Sequence, residues 1–488
     1  MLGEDPSIAW ARAAVAVGFA ALVGACSGGE PDDAPAVPPV ELRRLSHFEY
    51  SNAVDDLLGL DVRPGDVFPS DPHALGFDDI AVALQPSPLL IEAYMVAAEQ
   101  LSTAATADLS ALVPCSDDGD ELACARSFIR GFARRAYHRE LDLVEEQALL
   151  AAFAQGRAAA DFREGIRRVI ERVLQSPYFL YRVEFGEPQE EDAPSRRLTP
   201  WELAARLSFF LWGSVPDDAL LDAARDGALE TAADVEAQAW RMLEEPRAHA
   251  MVAHFHHQWL ELERIEDAVK SSAALPGYLP ALRGRMVAET ERFVDHVLWD
   301  GEGDLTTLLT ARYSFVDGPL AELYGVPGVS GDALVRVELD PSQRAGLVTH
   351  ASVLAGLATP SESSPIRRGK FIRDRLLCDP PSPPPGSLDI SLPAPDPDAT
   401  TRERFAQHTA AEPCASCHAR IDPIGFGLEG YDALGRYRVE ENGLPIDASG
   451  ELVDSDVAGP FVGALEPAER LAASAQVRRC VILQRYRY

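Results

Sequence analysis

Residues 414–418 read Cys414-Ala415-Ser416-Cys417-His418, two thiols three positions apart with an imidazole directly after them. Two thiols at this spacing can add to the two vinyl groups of a haem, and the adjacent His418 can then supply an axial nitrogen to the iron. The expected cofactor is therefore haem c, with His418 as the proximal ligand. Zinc is the rival reading. It would use Cys414, Cys417 and His418 and need a fourth donor, for which His408 is the obvious offer.

The second axial position decides what such a centre does. The five methionines, Met1, Met95, Met242, Met251 and Met286, all precede His418, so none follows the motif. A methionine ligand would have to come from the rest of the chain. The histidine candidates are His350, His408 and His256, with His254 and His257 beside the last. His408 lies six residues before Cys414 on the expected approach helix, which places it awkwardly for the opposite haem face. The expected role is electron transfer in the cell envelope. With no distal ligand the iron would be open to peroxide, oxygen or a small ligand, which makes a haem oxidoreductase the alternative. A surface binding or scaffold protein with accessory haem is a third reading. Arg436 and Arg438 either pair with haem propionates or stand solvated on a hairpin. Asp422, Glu429 and Asp432 read as braces for the surrounding loops, or as ordinary caps and turns.

Other cysteines and the N-terminus point to an oxidising compartment. Ala13–Val23 is an apolar run too short to span a bilayer, and Leu22-Val23-Gly24-Ala25-Cys26 resembles a lipobox, which would place a lipid on Cys26. Glu4 and Asp5 stand where a signal sequence carries positive charge. A plain signal peptide is the alternative, and both readings export the protein, to the periplasm or as an outer-membrane lipoprotein. With Cys26, Cys414 and Cys417 assigned, four of the seven cysteines remain. An even remainder suggests two disulfides. Cys115 and Cys124 flank one acidic turn and would pair, leaving Cys378 with Cys480. That turn lacks the ligand spacing of a calcium loop.

The net charge is −33, from 77 acidic and 44 basic residues. A field of that sign repels phosphate backbones, so nucleic acid is excluded as a partner. It would favour a cationic redox partner protein in the envelope. Contact with the membrane is expected through the lipid anchor alone.

The elements that must position the motif are mostly helical. Ile166, Val169, Ile170, Val173 and Leu174 recur at helical spacing on one face. Thr199-Pro200-Trp201-Glu202 supplies a cap, a first-turn proline and a capping-box glutamate. Further helices are expected over 248–262, carrying His254, His256, His257 and Trp259, and over 279–299, with Met286, Phe293 and Val297 inward. Successive prolines at 380–385 exclude helix and predict an extended strap. Asn442-Gly443 between short strand-like runs predicts a hairpin. The fold class is mainly α: a multidomain helical body, then a small α-helical cytochrome c-like module with a short β-hairpin.

Several stretches resemble the planctomycete-type, cytochrome-associated families of unknown function, which occur as one multidomain array. Residues 42–70, opening Leu42-Arg43-Arg44-Leu45-Ser46-His47-Phe48-Glu49-Tyr50, look like the first domain. Phe128 to Leu141 looks like the second, and Leu198 to Asp217 like the third. The fourth is similar in Arg344-Ala345-Gly346-Leu347, in Ser364-Pro365-Ile366-Arg367-Arg368-Gly369, and in Cys414 through Arg438. The resemblance implies export and haem without supplying a substrate. Gly430 stands where the family usually carries asparagine. Val477-Arg478-Arg479-Cys480 looks like the opening of a last domain that Tyr488 cuts short. Such truncation would deprive Cys480 of its partner and weighs against the Cys378–Cys480 pair.

The resulting domain plan has a signal peptide at 1–26, a tether at 27–40, and helical domains at 41–113, 114–190 and 196–330. The haem-associated domain starts at 340–378, followed by the strap at 379–399, the haem c module at 400–465 and a partial domain at 466–488.

Overall fold

The computed structural model describes residues 42–113, 115, 120–187, 196–272, 274–382, 393, 394, 396–409, 412 and 414–488, without the side chains of 407–409. Cys26, where a lipid is expected, most of the acidic turn after Cys115 and much of the proline strap lie outside the described residues. The chain divides into two compact units after Val252.

In the first unit the helices start where the sequence supplies an acceptor. Ser46 with Glu49, Asp142 with Glu145, Thr199 with Glu202 and Thr231 with Asp234 each form a reciprocal capping box. Each box satisfies two backbone N–H groups that a helix start leaves without partners. The expected face of the Phe162–Leu174 helix is fully inward, with Ile166, Val169, Ile170, Val173 and Leu174 at 0% exposure. Beside it Tyr50, Phe68, Tyr94 and Phe179 pack with ring centroids 5.2 to 5.6 Å apart. The helix expected over 248–262 runs instead from Pro246 to Trp259. Glu261 takes a left-handed φ of 55°, which no helix residue can adopt.

The second unit is also built on helices, with three small antiparallel strand pairs among its described residues. The helix expected over 279–299 runs from Leu282 to Asp295 and then widens into a π turn at His296–Asp300. Met286, Phe293 and Val297 are buried in it as expected. The predicted hairpin pairs Glu440–Glu441 with Leu444–Pro445. Asn442 and Gly443 at its tip have φ of 54° and 75°, the two positive angles that a two-residue turn of this hand demands. A mainly α fold is therefore what the chain adopts.

Both disulfides form, Cys115–Cys124 and Cys378–Cys480. The second is the pair that the implied truncation argued against. The Ala475–Arg487 helix brings Cys480 into place by packing on the Ile372–Leu376 turn. There Gln484 Nε2 donates to Asp374 O at 3.0 Å and Gln476 Nε2 donates to Leu377 O at 3.0 Å. Among the described residues no helix is long and apolar enough to cross a membrane.

Candidate functional site

Cys414, Cys417 and His418 occupy the first turns of one helix, Cys414–Phe426. Both cysteines are free and half-buried, whereas every other described cysteine is in a disulfide. A spacing of three places their side chains on the same face. One turn further on, Asp422 Oδ1 lies 2.9 Å from His418 Nδ1. An ionised carboxylate can only accept there, so Nδ1 is the donor, and in the neutral ring that hydrogen bond leaves the lone pair on Nε2.

A second helix holds this one from behind. Pro365–Phe371 packs on Cys414–Phe426, and the crossing is closed by two glycines. A Cβ on Gly369 would collide with the carbonyl of Ile421, and one on Gly425 with the carbonyl of Pro365. Arg368 reaches from the same helix into the loop beyond Cys414–Phe426. Its Nη1 donates to Leu428 O at 2.7 Å and Tyr431 O at 2.9 Å, and its Nη2 to Asp432 O at 2.8 Å. Arg368 is fully buried and faces Glu429, which also accepts from Ser363 Oγ at 2.6 Å. Burial pushes the Glu429 carboxyl up, against the pull of Arg368, and holds the Arg368 guanidinium below its ordinary value. Arg344 fixes the next turn by donating to Thr349 O at 2.6 Å and Gly435 O at 2.5 Å.

Arg436 and Arg438 are half-buried braces. Arg436 pairs with Asp432 and donates to Pro276 O at 2.8 Å. Arg438 pairs with Glu441 and Glu429 and donates to Ser363 Oγ at 3.1 Å. Glu429 and Asp432 hold the loop after this helix, Asp432 also closing a turn by accepting from Leu434 N and Arg436 N, while Asp422 faces His418 itself. Its position four residues after His418 on a helix was the signal for that contact.

Two of the histidine candidates for the far side, His350 and His256, are buried among partners of their own. His350 is buried, its Nδ1 is 2.9 Å from Thr290 Oγ1, and it packs edge-on against Phe293. Its Nε2 is buried without a partner, and burial pushes the ring down to about 3. His256 packs edge-on against Phe255 and Trp259. His408 falls on the Thr401–Thr409 helix, and its side chain lies outside the described residues.

The donor set fits a haem c. Two thiols are claimed by no disulfide, an imidazole presents Nε2, and a buried carboxylate stands behind that ring. Among the described residues no group of three His, Cys, Asp or Glu side chains is placed to hold a metal ion.

Four family models match this chain in series. Residues 43–107 match PSD3 (DUF1587) and residues 124–184 match PSD5 (DUF1595). Residues 198–326 match PSD4 (DUF1592) and residues 344–441 match PSCyt3 (DUF1588). Each is described as a protein of unknown function, and all four are of the planctomycete cytochrome-associated type. The last match spans Arg344, Arg368, the Cys414–Phe426 helix and the loop from Glu429 to Arg438. No curated protein and no solved structure matches.

Proposed function

We propose that this chain is an exported c-type haem protein that carries electrons in the cell envelope. The observation that supports it most is the division of labour among cysteines. Four are closed into disulfides, while Cys414 and Cys417 stay free beside a histidine whose Nδ1 is already engaged. Cys414 and Cys417 would each form a thioether, the sulfur bonding one vinyl carbon and the thiol hydrogen going to the other. His418 Nε2 would supply the proximal ligand, and a haem bound there supplies one-electron exchange at its iron. Gly369, Gly425 and Arg368 keep the attachment helix and its following loop in place. Lipidation at Cys26 would tether the chain to a membrane surface, and the charge of −33 would draw a cationic redox partner.

The experiment is to express the full chain with a c-type haem maturation system and measure covalent haem by pyridine haemochrome. One haem per chain is expected, with none in the Cys414→Ala/Cys417→Ala variant. A colourless protein carrying stoichiometric zinc would overturn the reading. A six-coordinate, low-spin spectrum inert to peroxide supports electron transfer, and a peroxide-reactive five-coordinate one points to an oxidoreductase.

A further inference from the structure

Asp422 is only 3% exposed, and its helix neighbours Ile421, Ile424 and Phe426 are buried and apolar. One carboxylate oxygen meets His418 Nδ1, and the other is buried without a partner. Among the described residues no lysine or arginine pairs with it, so His418 is the one chargeable donor that it touches. A buried carboxylate without a cation is costly, because little solvent screens or hydrates it. The arrangement is stabilised when positive charge gathers on the far side of the imidazole, at Nε2. A carboxylate accepting from the second nitrogen of a metal-bound histidine fixes its tautomer and raises its basicity.

Resting on the haem reading, we propose that Asp422 is the positioning residue of the proximal ligand, and that its buried charge holds the centre toward the oxidised state. It aims the His418 ring through the hydrogen bond. Its negative charge favours the more positive iron, so the reduction potential lies below that of the same site without the charge.

Two substitutions separate these effects. Asp422→Asn keeps an oxygen acceptor at nearly the same volume and removes the charge, whereas Asp422→Ala removes both. Spectroelectrochemical titration of the haem-loaded full chain should give a higher midpoint potential for both variants than for the wild type, with covalent haem content unchanged in Asp422→Asn. In the haem-free Cys414→Ser/Cys417→Ser chain, ¹⁵N NMR of labelled histidine should show His418 fixed with its proton on Nδ1. Adding Asp422→Ala should return it to a mixture of tautomers. Equal potentials across the three haem-loaded proteins would overturn this inference alone. A wild-type chain without covalent haem would overturn the parent reading and this one with it.

Discussion

Glu289 and His350 sit in one buried polar cluster and respond to pH in opposite directions. Glu289 accepts from Ser314 Oγ at 2.6 Å and Tyr324 OH at 2.7 Å, yet burial outweighs these bonds and pushes its carboxyl up to about 7. The folded chain therefore keeps a proton that the unfolded chain releases near 4.5, and stability present at low pH is lost as pH rises through 7. The span corresponds to at most about 3 kcal/mol. For His350, pushed down to about 3, the stabilising form is the neutral one. Its contribution is complete above 6.5 and is lost as pH falls toward 3. Thermal unfolding at pH 4 and pH 8 reads both effects. Relative to wild type, Glu289→Gln should gain more in Tm at pH 8 than at pH 4, and His350→Phe more at pH 4 than at pH 8. Offsets that do not change with pH would count against this account. The surroundings of Glu289 were not legible in the sequence, because Ser314 and Tyr324 reach it from 25 and 35 positions away and no spacing rule joins them. Gly430 is a different case. It lines a cavity of about 260 Å³, and a Cβ there would meet Tyr437 Cε2 at an ordinary 3.5 Å. A side chain can therefore start there, and the resemblance implies asparagine at this position. Gly430→Asn should therefore stabilise by about 0.5–1 kcal/mol in urea unfolding, through lost freedom of the unfolded chain, and a net destabilisation would show that the cavity is not open to it.

At the scale of elements, the crossing of Pro365–Phe371 over Cys414–Phe426 is the contact on which the candidate site depends. Both collisions expected of an added Cβ are with backbone carbonyls, which cannot move aside as a side chain tip can. Gly425→Ala should cost about 1–3 kcal/mol by overpacking, read as a lower Tm of the second unit and a smaller yield of covalent haem. Unchanged values for both would mean that the helices can separate without consequence. The helices of this crossing were only partly readable. Thr199 and Glu202, or the stripe from Ile166 to Leu174, announce themselves because cap and period are local patterns. The Ser364–Gly369 stretch stood out only through its resemblance to a family. What Arg368 does there, holding three carbonyls at positions 428, 431 and 432, depends on a partner segment 60 or more residues away. Asp422 lies between these cases. Its distance from His418 is a helical one, but the contact becomes visible only once the motif and the residues after it are known to share one helix.

At the scale of the whole chain, the order of the four families was legible because each carries its own local stretch, and the matched ranges follow in the expected sequence. The pairing of Cys378 with Cys480 was harder to read, since arithmetic favoured it and the implied truncation opposed it. What settles it is packing of the Ala475–Arg487 helix on the turn that precedes Cys378. The two disulfides differ greatly in reach. Cys115 and Cys124 are 9 positions apart, whereas Cys378 and Cys480 are 102 apart and enclose the whole Cys414–Phe426 helix. Cross-linking restricts the unfolded chain more as the closed loop lengthens, by about 4.7 kcal/mol for a loop of this size against roughly 2–3 kcal/mol for the short one on the chain-entropy model. Removing the long bridge as Cys378→Ala/Cys480→Ala should accordingly lower stability more than Cys115→Ala/Cys124→Ala, by about 2 kcal/mol in denaturant unfolding under non-reducing conditions. The loss should fall on the unit that holds Cys414 and Cys417, so covalent haem yield should drop with the long bridge and not with the short one. Equal losses from the two double variants, or a yield indifferent to both, would show that packing of the C-terminal helix alone holds the Cys414–Phe426 helix in its fold.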